Sequence, residues 1–456
     1  MLFKGSRDLL PLYALYALLF AEHGLNTAQI SSLLAMWSLT AFVLEVPSGA
    51  WADTVSRRML LVLSAALMAL GFIIWTVAPS YLGFALGFVL WGAAGALESG
   101  TFQALLYDEL VTRGARSAYP RIMGYARAAQ EISVVVAIMA AAPLYAWGGY
   151  ALVGWSSVAV AVLHTGIACT LPRAPVAVSA GAVAELEEQL AESDTPSAEP
   201  AETPVRDSVV AAAGPLDGSA RPAGSAALGI ADADVRGGVG RTARDERALF
   251  TRYLSMLRTG IAEAVRVRRV RFGVLLASLL YGITSFDEYF ALLAQSAGAA
   301  TAVVAVLVGV TVLGSMAGAL LAGRTEGMSA RTMTVALALA SLLFIAGSLV
   351  AGLAFDRPAA VYALTGLGFI AIGVAYGTVY NSGVVAEARL QDSIEGPARA
   401  TVTSVSGLLS EIVALAVFGF VAVATVWLSM AVTLALLGLV ILAIAVLVPA
   451  WLPRES

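Results

Sequence analysis

Residues 45–58 read EVPSGAWADTVSRR and separate two long apolar runs, ISSLLAMWSLTAFVL before them and MLLVLSAALMALGFIIWTV after them. This polar stretch holds two acids and two arginines, with Gly49 four residues before Asp53 and Asp53 four residues before Arg57. About 20 apolar residues are needed to cross the hydrocarbon core of a bilayer. The stretch therefore predicts a turn at a membrane surface between two transmembrane helices.

The composition extends this prediction to the whole chain. Of its 456 residues 59% are hydrophobic and 13% are charged, whereas soluble domains carry about 25% charged residues. Apolar runs fall at residues 9–22, 29–50, 59–78, 81–106, 119–146, 149–171, 272–296, 299–323, 332–354, 358–386, 399–425 and 427–451. The sequence thus predicts an all-α integral membrane protein, with twelve transmembrane helices in two six-helix halves.

Basic residues lie at one set of alternate ends of these runs. They are Lys4, Arg7, Arg57, Arg58, Arg113, Arg116, Arg121, Arg324, Arg331, Arg389, Arg399 and Arg454. Because cytoplasmic loops accumulate Lys and Arg, both termini and the 45–58 turn are predicted to face the cytoplasm. The Arg-rich, lysine-poor composition resembles that of a GC-rich bacterium, which predicts the inner membrane as the location.

Four segments follow from this pattern. Residues 1–171 form the N-terminal half and 271–456 the C-terminal half. Residues 172–244 are rich in Ala, Pro, Gly, Ser and Glu with almost no aromatic residue, which predicts a disordered cytoplasmic linker. Residues 245–270 repeat apolar side chains at helical spacing and end in arginines, which predicts an amphipathic helix on the anionic membrane surface.

The two halves share a pattern of acids. Asp108 ends the fourth run and Glu131 follows inside the fifth; Glu387 ends the tenth and Glu411 follows inside the eleventh, at nearly the same spacing. Halves that match in hydropathy and weakly in sequence occur in transporters built from repeats. The spacing therefore favours an internal duplication.

The residues Gly49-Ala-Trp-Ala-Asp53-Thr-Val-Ser-Arg57-Arg58 have the form G-x-x-x-D-x-x-x-R-R. Here the sequence resembles the major facilitator superfamily, whose signature loop between helices two and three has this pattern, and the resemblance covers all twelve spans. A glycine permits close helix approach, an aspartate can face a helix N-terminus, and arginines pair with carboxylates. The resemblance implies that this loop is a gate that latches the cytoplasmic side.

The resemblance also implies partners for the gate. Asp53 is expected to face the start of the eleventh helix, near Gly396 to Arg399. One of the two arginines is expected to pair with Asp108 or Glu109 at the end of the fourth helix. The corresponding stretch of the second half, from Gly323 on, loses the spacing.

Acids inside the spans are the candidate proton or substrate site, because ionisable groups there are costly and usually functional. The candidates are Glu98, Glu131, Asp287, Glu288 and Glu411. The alternative for each is a carboxyl group hydrogen-bonded between helices. Trp37, Trp91 and Tyr281 could stack on a flat substrate or pack between helices. Glycines for close helix crossing are predicted at Gly92, Gly95, Gly100, Gly373 and Gly377.

The family resemblance implies a secondary active transporter that works as a monomer, with a small molecule, protons and membrane lipids as partners. The stretch ESGTFQALLYDEL is similar to a bacterial branch of exporters. The arginine that drug–proton antiporters carry in the fourth helix, four residues before a glycine, is replaced by Phe88 or Trp91. Proton-coupled export is the expectation. An importer of a metabolite and a non-transporting receptor or scaffold stay open.

Other functions are disfavoured by missing motifs. No G-x-x-x-x-G-K-[ST] phosphate loop occurs and Lys4 is the only lysine, which argues against ATP-driven transport. No His/Cys cluster suggests a metal, and no basic patch suggests nucleic acid. The expectation is a carrier without a cofactor, not an enzyme.

Overall fold

The computed structural model describes residues 1–173, 267–394 and 399–453. Helices make up nearly all of these residues, and within them no strand occurs. The predicted all-α membrane fold is therefore confirmed. The predicted linker 172–244 and the predicted amphipathic helix 245–270 lie almost wholly outside the described residues, so both stay predictions.

Each half of the chain is a series of helices. The first half contains α1 (Leu2–Arg7), α2 (Tyr16–Glu22), α3 (Thr27–Thr54), α4 (Arg57–Val77), α5 (Tyr81–Glu98), α6 (Thr101–Thr112) and α7 (Tyr119–Cys169), with 3₁₀ segments at Pro11–Ala14 and Arg116–Ala118. The second half contains α8 (Arg268–Ile283), α9 (Phe290–Ser296), α10 (Thr301–Thr325), α11 (Ala330–Gly352), α12 (Val361–Asp392), α13 (Arg399–Ala424) and α14 (Met430–Trp451), with 3₁₀ segments at Thr284–Tyr289 and Pro358–Ala360.

Ten helical stretches among the described residues are long and apolar enough to cross a membrane. One of them, in α7, covers two predicted spans, which meet at a bend where Gly149 has φ +58°. The predicted first span is instead broken into α1, a 3₁₀ segment and α2. The predicted fourth span is interrupted at Gly100, whose φ of +69° is one that glycine tolerates best. Twelve passes stay a prediction.

Glycines bring two helices of the second half into backbone contact. A Cβ added to Gly314 or Gly318 would overlap the backbone of Gly373 or Gly377 on α12, so α10 and α12 cross closely there. The prediction for those two α12 glycines is confirmed. That for Gly92 is confirmed too, with the Trp37 oxygen 2.7 Å from an added Cβ. At Gly95 and Gly100 the prediction was wrong, because an added Cβ meets no described atom within 4 Å.

The helix bundle has two ends. The loop end carries the turn at Val55–Ser56, and the far end carries the turns at residues 23–26, 78–80 and 297–300. Near the far end the halves meet, since the hydroxyl groups of Ser31 and Tyr289 lie 2.7 Å apart. Met139 of α7 also packs against Gly309 of α10. The bundle is therefore closed towards the far end.

Candidate functional site

An arginine–aspartate pair is buried at the loop end. Arg57 begins α4, and its Nη1 lies 2.5 Å from Oδ2 of Asp108 on α6. The same guanidinium donates to the backbone oxygens of Ala104 at 3.1 Å and Ala52 at 3.3 Å. Both charged side chains are buried, and a buried ion pair is retained only when its remaining hydrogen bonds are also satisfied. The pair therefore ties the α3–α4 turn to α6.

The neighbouring charges of the motif do not join this pair. Arg58 donates to the backbone oxygen of Cys169. Glu109 pairs with Arg113, which directly follows α6, at 2.5 Å. The expected link between the loop and the fourth span is thus made by Arg57 and Asp108. Arg58 and Glu109 have other partners, Cys169 at the end of α7 and Arg113 just after α6.

Two further residues of the motif were expected to meet a neighbouring helix. A Cβ added to Gly49 meets no described atom within 4 Å, so the expected close approach is absent in this conformation. The reason is that the described contacts between the halves lie nearer the far end. The expected contact between Asp53 and the region of Gly396 to Arg399 lies outside the described residues and stays a prediction.

Glu98, a predicted proton or substrate site, lies in an ionic cluster within the first half. Its carboxylate accepts from Nζ of Lys4 at 2.6 Å and also pairs with Arg7. Glu98 is buried at the end of α5, and α1 brings both cations to it. A carboxylate with two cationic partners is held in its charged form. A transport role for Glu98 stays a prediction, and its structural role is the one visible here.

Sequence reasoning missed the rest of this cluster. Asp8, also buried, accepts from the hydroxyl of Tyr13 at 3.0 Å and from Nε2 of Gln130 at 2.6 Å. Ser6 lies 2.9 Å from Nδ1 of buried His164. The available signal was the run Lys-Gly-Ser-Arg-Asp just before an apolar segment, which was interpreted only as a topology marker.

Asp287 and Glu288 lie in the 3₁₀ segment between α8 and α9. The hydroxyl of Tyr376 on α12 donates to Oδ2 of Asp287 at 2.8 Å. The hydroxyl of Tyr16, from the other half, donates to Glu288. Neither carboxylate has a basic side chain within 4 Å in the described part of the chain. These acids are therefore stabilised by hydroxyl groups rather than by opposite charge.

Glu411 makes a second hydroxyl–carboxyl contact between the halves. It lies on α13 and accepts a hydrogen bond from Ser38 on α3. Glu288 and Glu411 thus both take part in the contact between the halves, Glu288 towards the far end and Glu411 near the middle of α13. When the halves separate there, each of these carboxyl groups loses its partner.

Glu131 is exposed on α7, and no hydrogen bond or ion pair of its side chain occurs among the described contacts. Arg127, one turn earlier on the same helix, is also exposed. Sequence reasoning missed Arg127, although an arginine eight residues inside a predicted span was the signal for it. Tyr281 contacts Tyr380 edge-on, with ring centroids 6.3 Å apart.

The predicted stacking residues of the first half are packed instead. Trp91 stacks on Tyr13 at 5.2 Å and on Phe88 at 5.9 Å, and it also contacts Trp37. These rings fill the interior of the half where an antiporter arginine was looked for. Among the described residues no cluster of three His, Cys, Asp or Glu side chains could hold a metal ion.

Comparison with solved structures shows a transporter fold. The chain is similar to a mutant of the nucleoside transporter NupG, with TM-score 0.59 and 11% identity, covering 98% of this chain and 94% of the other. It is also similar to NupG itself, with TM-score 0.58 and 12% identity, covering 99% and 96%. At such identity the likeness shows the fold alone.

Comparison by sequence gives two results. No curated protein matches the chain. The Major Facilitator Superfamily profile matches residues 8–410, which is most of the chain. This match agrees with the G-x-x-x-D-x-x-x-R-R turn and with the helical bundle described above. The chain belongs to the Major Facilitator Superfamily.

Proposed function

We propose that this chain is a proton-coupled exporter that moves a small molecule across the cytoplasmic membrane by alternating access. Membership of the superfamily gives a membrane transporter. The direction, the coupling ion and the substrate are the proposed part. The loop end is assigned to the cytoplasm because it carries Arg57, Arg58 and Arg113, in line with the positive-inside rule.

One observation carries proton coupling: two carboxyl groups bridge the halves, one towards the far end and one near the middle of α13. Glu288 accepts from Tyr16 and Glu411 accepts from Ser38. Opening the far end breaks both hydrogen bonds and exposes the carboxyl groups to water on that side. A carboxyl group whose surroundings change during the cycle binds and releases its proton at different stages. Proton transfer and rocking of the halves would then be linked.

The Arg57–Asp108 pair supports the gate at the other end. It fixes the α3–α4 turn against α6 within the first half, so the turn moves with that half as one body. Asp53, in the last turn of α3, would then meet the second half when the cytoplasmic side closes. Gly49 has open space in the present conformation, which suits an approach that forms only in the other state.

Uptake of a metabolite is the second candidate. Arg127 is an exposed positive charge eight residues after the start of α7. The acidic residues of the spans would repel an anionic metabolite, and the positive charge of Arg127 offsets this repulsion.

Transport by cells expressing the chain tests the proposal. Wild-type cells are compared with cells expressing Glu288→Gln, using labelled lipophilic cations, neutral drugs and amino acids, with and without a protonophore. Lower accumulation in wild-type cells only, abolished by the protonophore, supports export driven by protons. Higher accumulation that the protonophore abolishes supports uptake. Glu326→Gln, at an exposed position of the loop end, is the control and should behave as wild type.

A further inference from the structure

The fourth predicted span is broken at one point. Ser99 and Gly100 separate α5 from α6, and Gly100 has φ +69°. The regular backbone hydrogen bonds stop at the N–H of Ser99, which donates to Gly95 at 3.0 Å, and resume at the N–H of Ala104. In the second half, by contrast, α12 runs without interruption over Val361–Asp392. A long span of this bundle can therefore also form one continuous helix.

Side-chain contacts hold the two sides of this break to different neighbours. At the break itself, the Ser99 hydroxyl donates to Oε1 of Glu45 on α3 at 2.8 Å. Beyond it, Asp108 of α6 forms the buried pair with Arg57 at the start of α4. Because that pair ties α6 to the α3–α4 turn, the two move together. A change of angle at Gly100 would therefore move the turn, in addition to any movement of the half as a whole.

The hydroxyl of Thr101, the first residue of α6, is buried and has no hydrogen-bond partner among the described residues. Leaving a buried hydroxyl unpaired is costly. Several threonines inside the helices of this protein donate to the carbonyl oxygen four residues earlier, namely Thr40, Thr76, Thr112, Thr165 and Thr365. For Thr101 that position is Leu97, which lies in α5 on the other side of the break. A continuous helix would bring the Leu97 carbonyl within reach of the Thr101 hydroxyl.

We propose that the fourth span alternates between this broken form and a continuous helix, with Thr101 as the positioning residue that stabilises the continuous form. Gly100 permits the broken form, because glycine adopts a positive φ without a steric penalty. The broken form accompanies the closed far end, so the continuous form belongs to the conformation in which the loop end closes. Straightening moves Asp108 and the α3–α4 turn, which carries the gate motif. This inference rests on the alternating access of the proposed function and names the segment that changes shape.

The distance between two spin labels on either side of the break tests the proposal. The labels are attached at Leu86→Cys on α5 and Val111→Cys on α6, two exposed positions, in the purified full-length chain with Cys169→Ser. A continuous helix would place these positions about 38 Å apart, at 1.5 Å per residue, and a bend at Gly100 shortens this distance. The wild type is expected to show a major shorter distance and a minor longer one.

Gly100→Ala should raise the ratio of the longer to the shorter distance about tenfold, because a residue with a Cβ disfavours the left-handed conformation of the break. The added methyl group meets no described atom within 4 Å, so it acts through the backbone alone. Gly95→Ala and Gly24→Ala are the controls, since both positions are equally open. Gly95 lies inside α5, and Gly24 has φ +83° in a turn of the far end. A ratio after Gly100→Ala that equals the ratio after both controls overturns the proposal.

Thr101→Val tests the hydroxyl separately from the backbone. Valine keeps the shape of threonine, so the continuous form loses a hydrogen bond while the broken form loses none. Added to Gly100→Ala, this change should lower the ratio about two- to tenfold. Thr165→Val removes a hydroxyl that is bonded to the Ala161 oxygen at 2.9 Å in α7, and as the matched control it should leave the ratio unchanged. Equal ratios with Thr101→Val and Thr165→Val would refute the positioning role of Thr101.

The distance measurement and the transport assay separate the two proposals. A single distance that stays unchanged in every variant, together with export that a protonophore abolishes, overturns the change of shape in the fourth span and leaves the proposed function intact. The expected shifts in distance, together with transport that a protonophore does not affect, overturn proton coupling and leave the change of shape intact.

Discussion

The hydroxyl of Tyr16 donates a hydrogen bond to the carboxylate of Glu288, and this bond ties the first half of the bundle to the second near the far end. Ser38 and Glu411 repeat the same chemistry between α3 and α13. A hydroxyl–carboxyl hydrogen bond helps to hold two surfaces together. When it breaks, no cationic side chain is left without its anionic partner. Such contacts suit an interface that opens and closes in every cycle.

We expect Tyr16→Phe to open the far end more often. A hydrogen bond contributes about 0.5–1.5 kcal/mol, so its loss should shift the equilibrium about two- to tenfold. The readout is maleimide modification of Ile138→Cys in a Cys169→Ser background, since Ile138 is buried near Gly309 at the contact between the halves.

Tyr13→Phe is the matched control for this measurement. The Tyr13 hydroxyl binds Asp8 within the same half, at 3.0 Å, so its removal should leave the gate unchanged. Equal modification rates in the two tyrosine variants would show that the Tyr16–Glu288 bond does not hold the far end closed.

Arg57→Gln should destabilise the protein strongly. Both partners of the Arg57–Asp108 pair are buried, and removing one partner of a buried pair costs about 3–5 kcal/mol. Thermal unfolding of the purified chain should show a clear fall in melting temperature, and the double variant with Asp108→Asn should lose less than the sum of the single losses. Arg58→Gln is the control. A similar fall there would mean that the effect is not specific to the buried pair.

Asp53→Asn should leave the protein folded and impair transport. The amide keeps the shape of the carboxylate and removes its negative charge. The gate is expected to use that charge against the start of the eleventh predicted span, which is α13. Transport of the labelled panel is compared at equal amounts of protein in the membrane. Wild-type transport by this variant would remove Asp53 from the gate.

Glu98→Gln should lower the melting temperature while the folded fraction still transports. Lys4 and Arg7 both pair with this carboxylate, so its loss leaves Lys4 without its ion-pair partner and Arg7 with Asp8 alone, at 3.4 Å. Glu288→Gln provides the contrast, since it should abolish coupling with a smaller effect on stability. If the Glu98→Gln protein is stable and correctly inserted but has lost proton-driven transport, Glu98 is a proton-binding residue rather than a structural one.

Gly318→Ala should weaken the contact between α10 and α12. The new Cβ would overlap the backbone oxygen of Gly377, so the helices must separate or shift. Overpacking of this kind costs about 1–3 kcal/mol. Gly366→Ala, on α12 with no described atom within 4 Å of the added Cβ, should be neutral. Equal melting temperatures of the two variants would contradict the close crossing.

The fold could be predicted because hydropathy and the turn 45–58 report directly on the bilayer. A run long enough to span must be helical, since no water satisfies its backbone there. The break at Gly100 and the divided first segment were missed because both lie inside apolar runs. The apolar composition of such a run is nearly the same whether the helix is continuous or interrupted, so composition does not reveal the break.

The candidate site was only partly predictable, because the residues that meet across the halves are far apart in the sequence and a single sequence does not show which of them are neighbours. Asp287, Glu288 and Glu411 stood out as acids in spans, but their partners Tyr376, Tyr16 and Ser38 carry no signal in a single sequence. Arg127 was passed over since the other arginines follow the topology so closely.

The short turns of the far end, at residues 23–26, 78–80 and 297–300, have a practical consequence. These turns offer little exposed loop for an antibody to bind or for a protease to cleave. The connections are tight, and in the first of them Asn26 and Gln29 close the entry to α3 with reciprocal hydrogen bonds of 2.9 and 3.0 Å. Surface detection from this side would therefore need an inserted epitope tag. Residues 78–80 are a suitable place, because this turn lacks the reciprocal hydrogen bonds that Asn26 and Gln29 form at the start of α3.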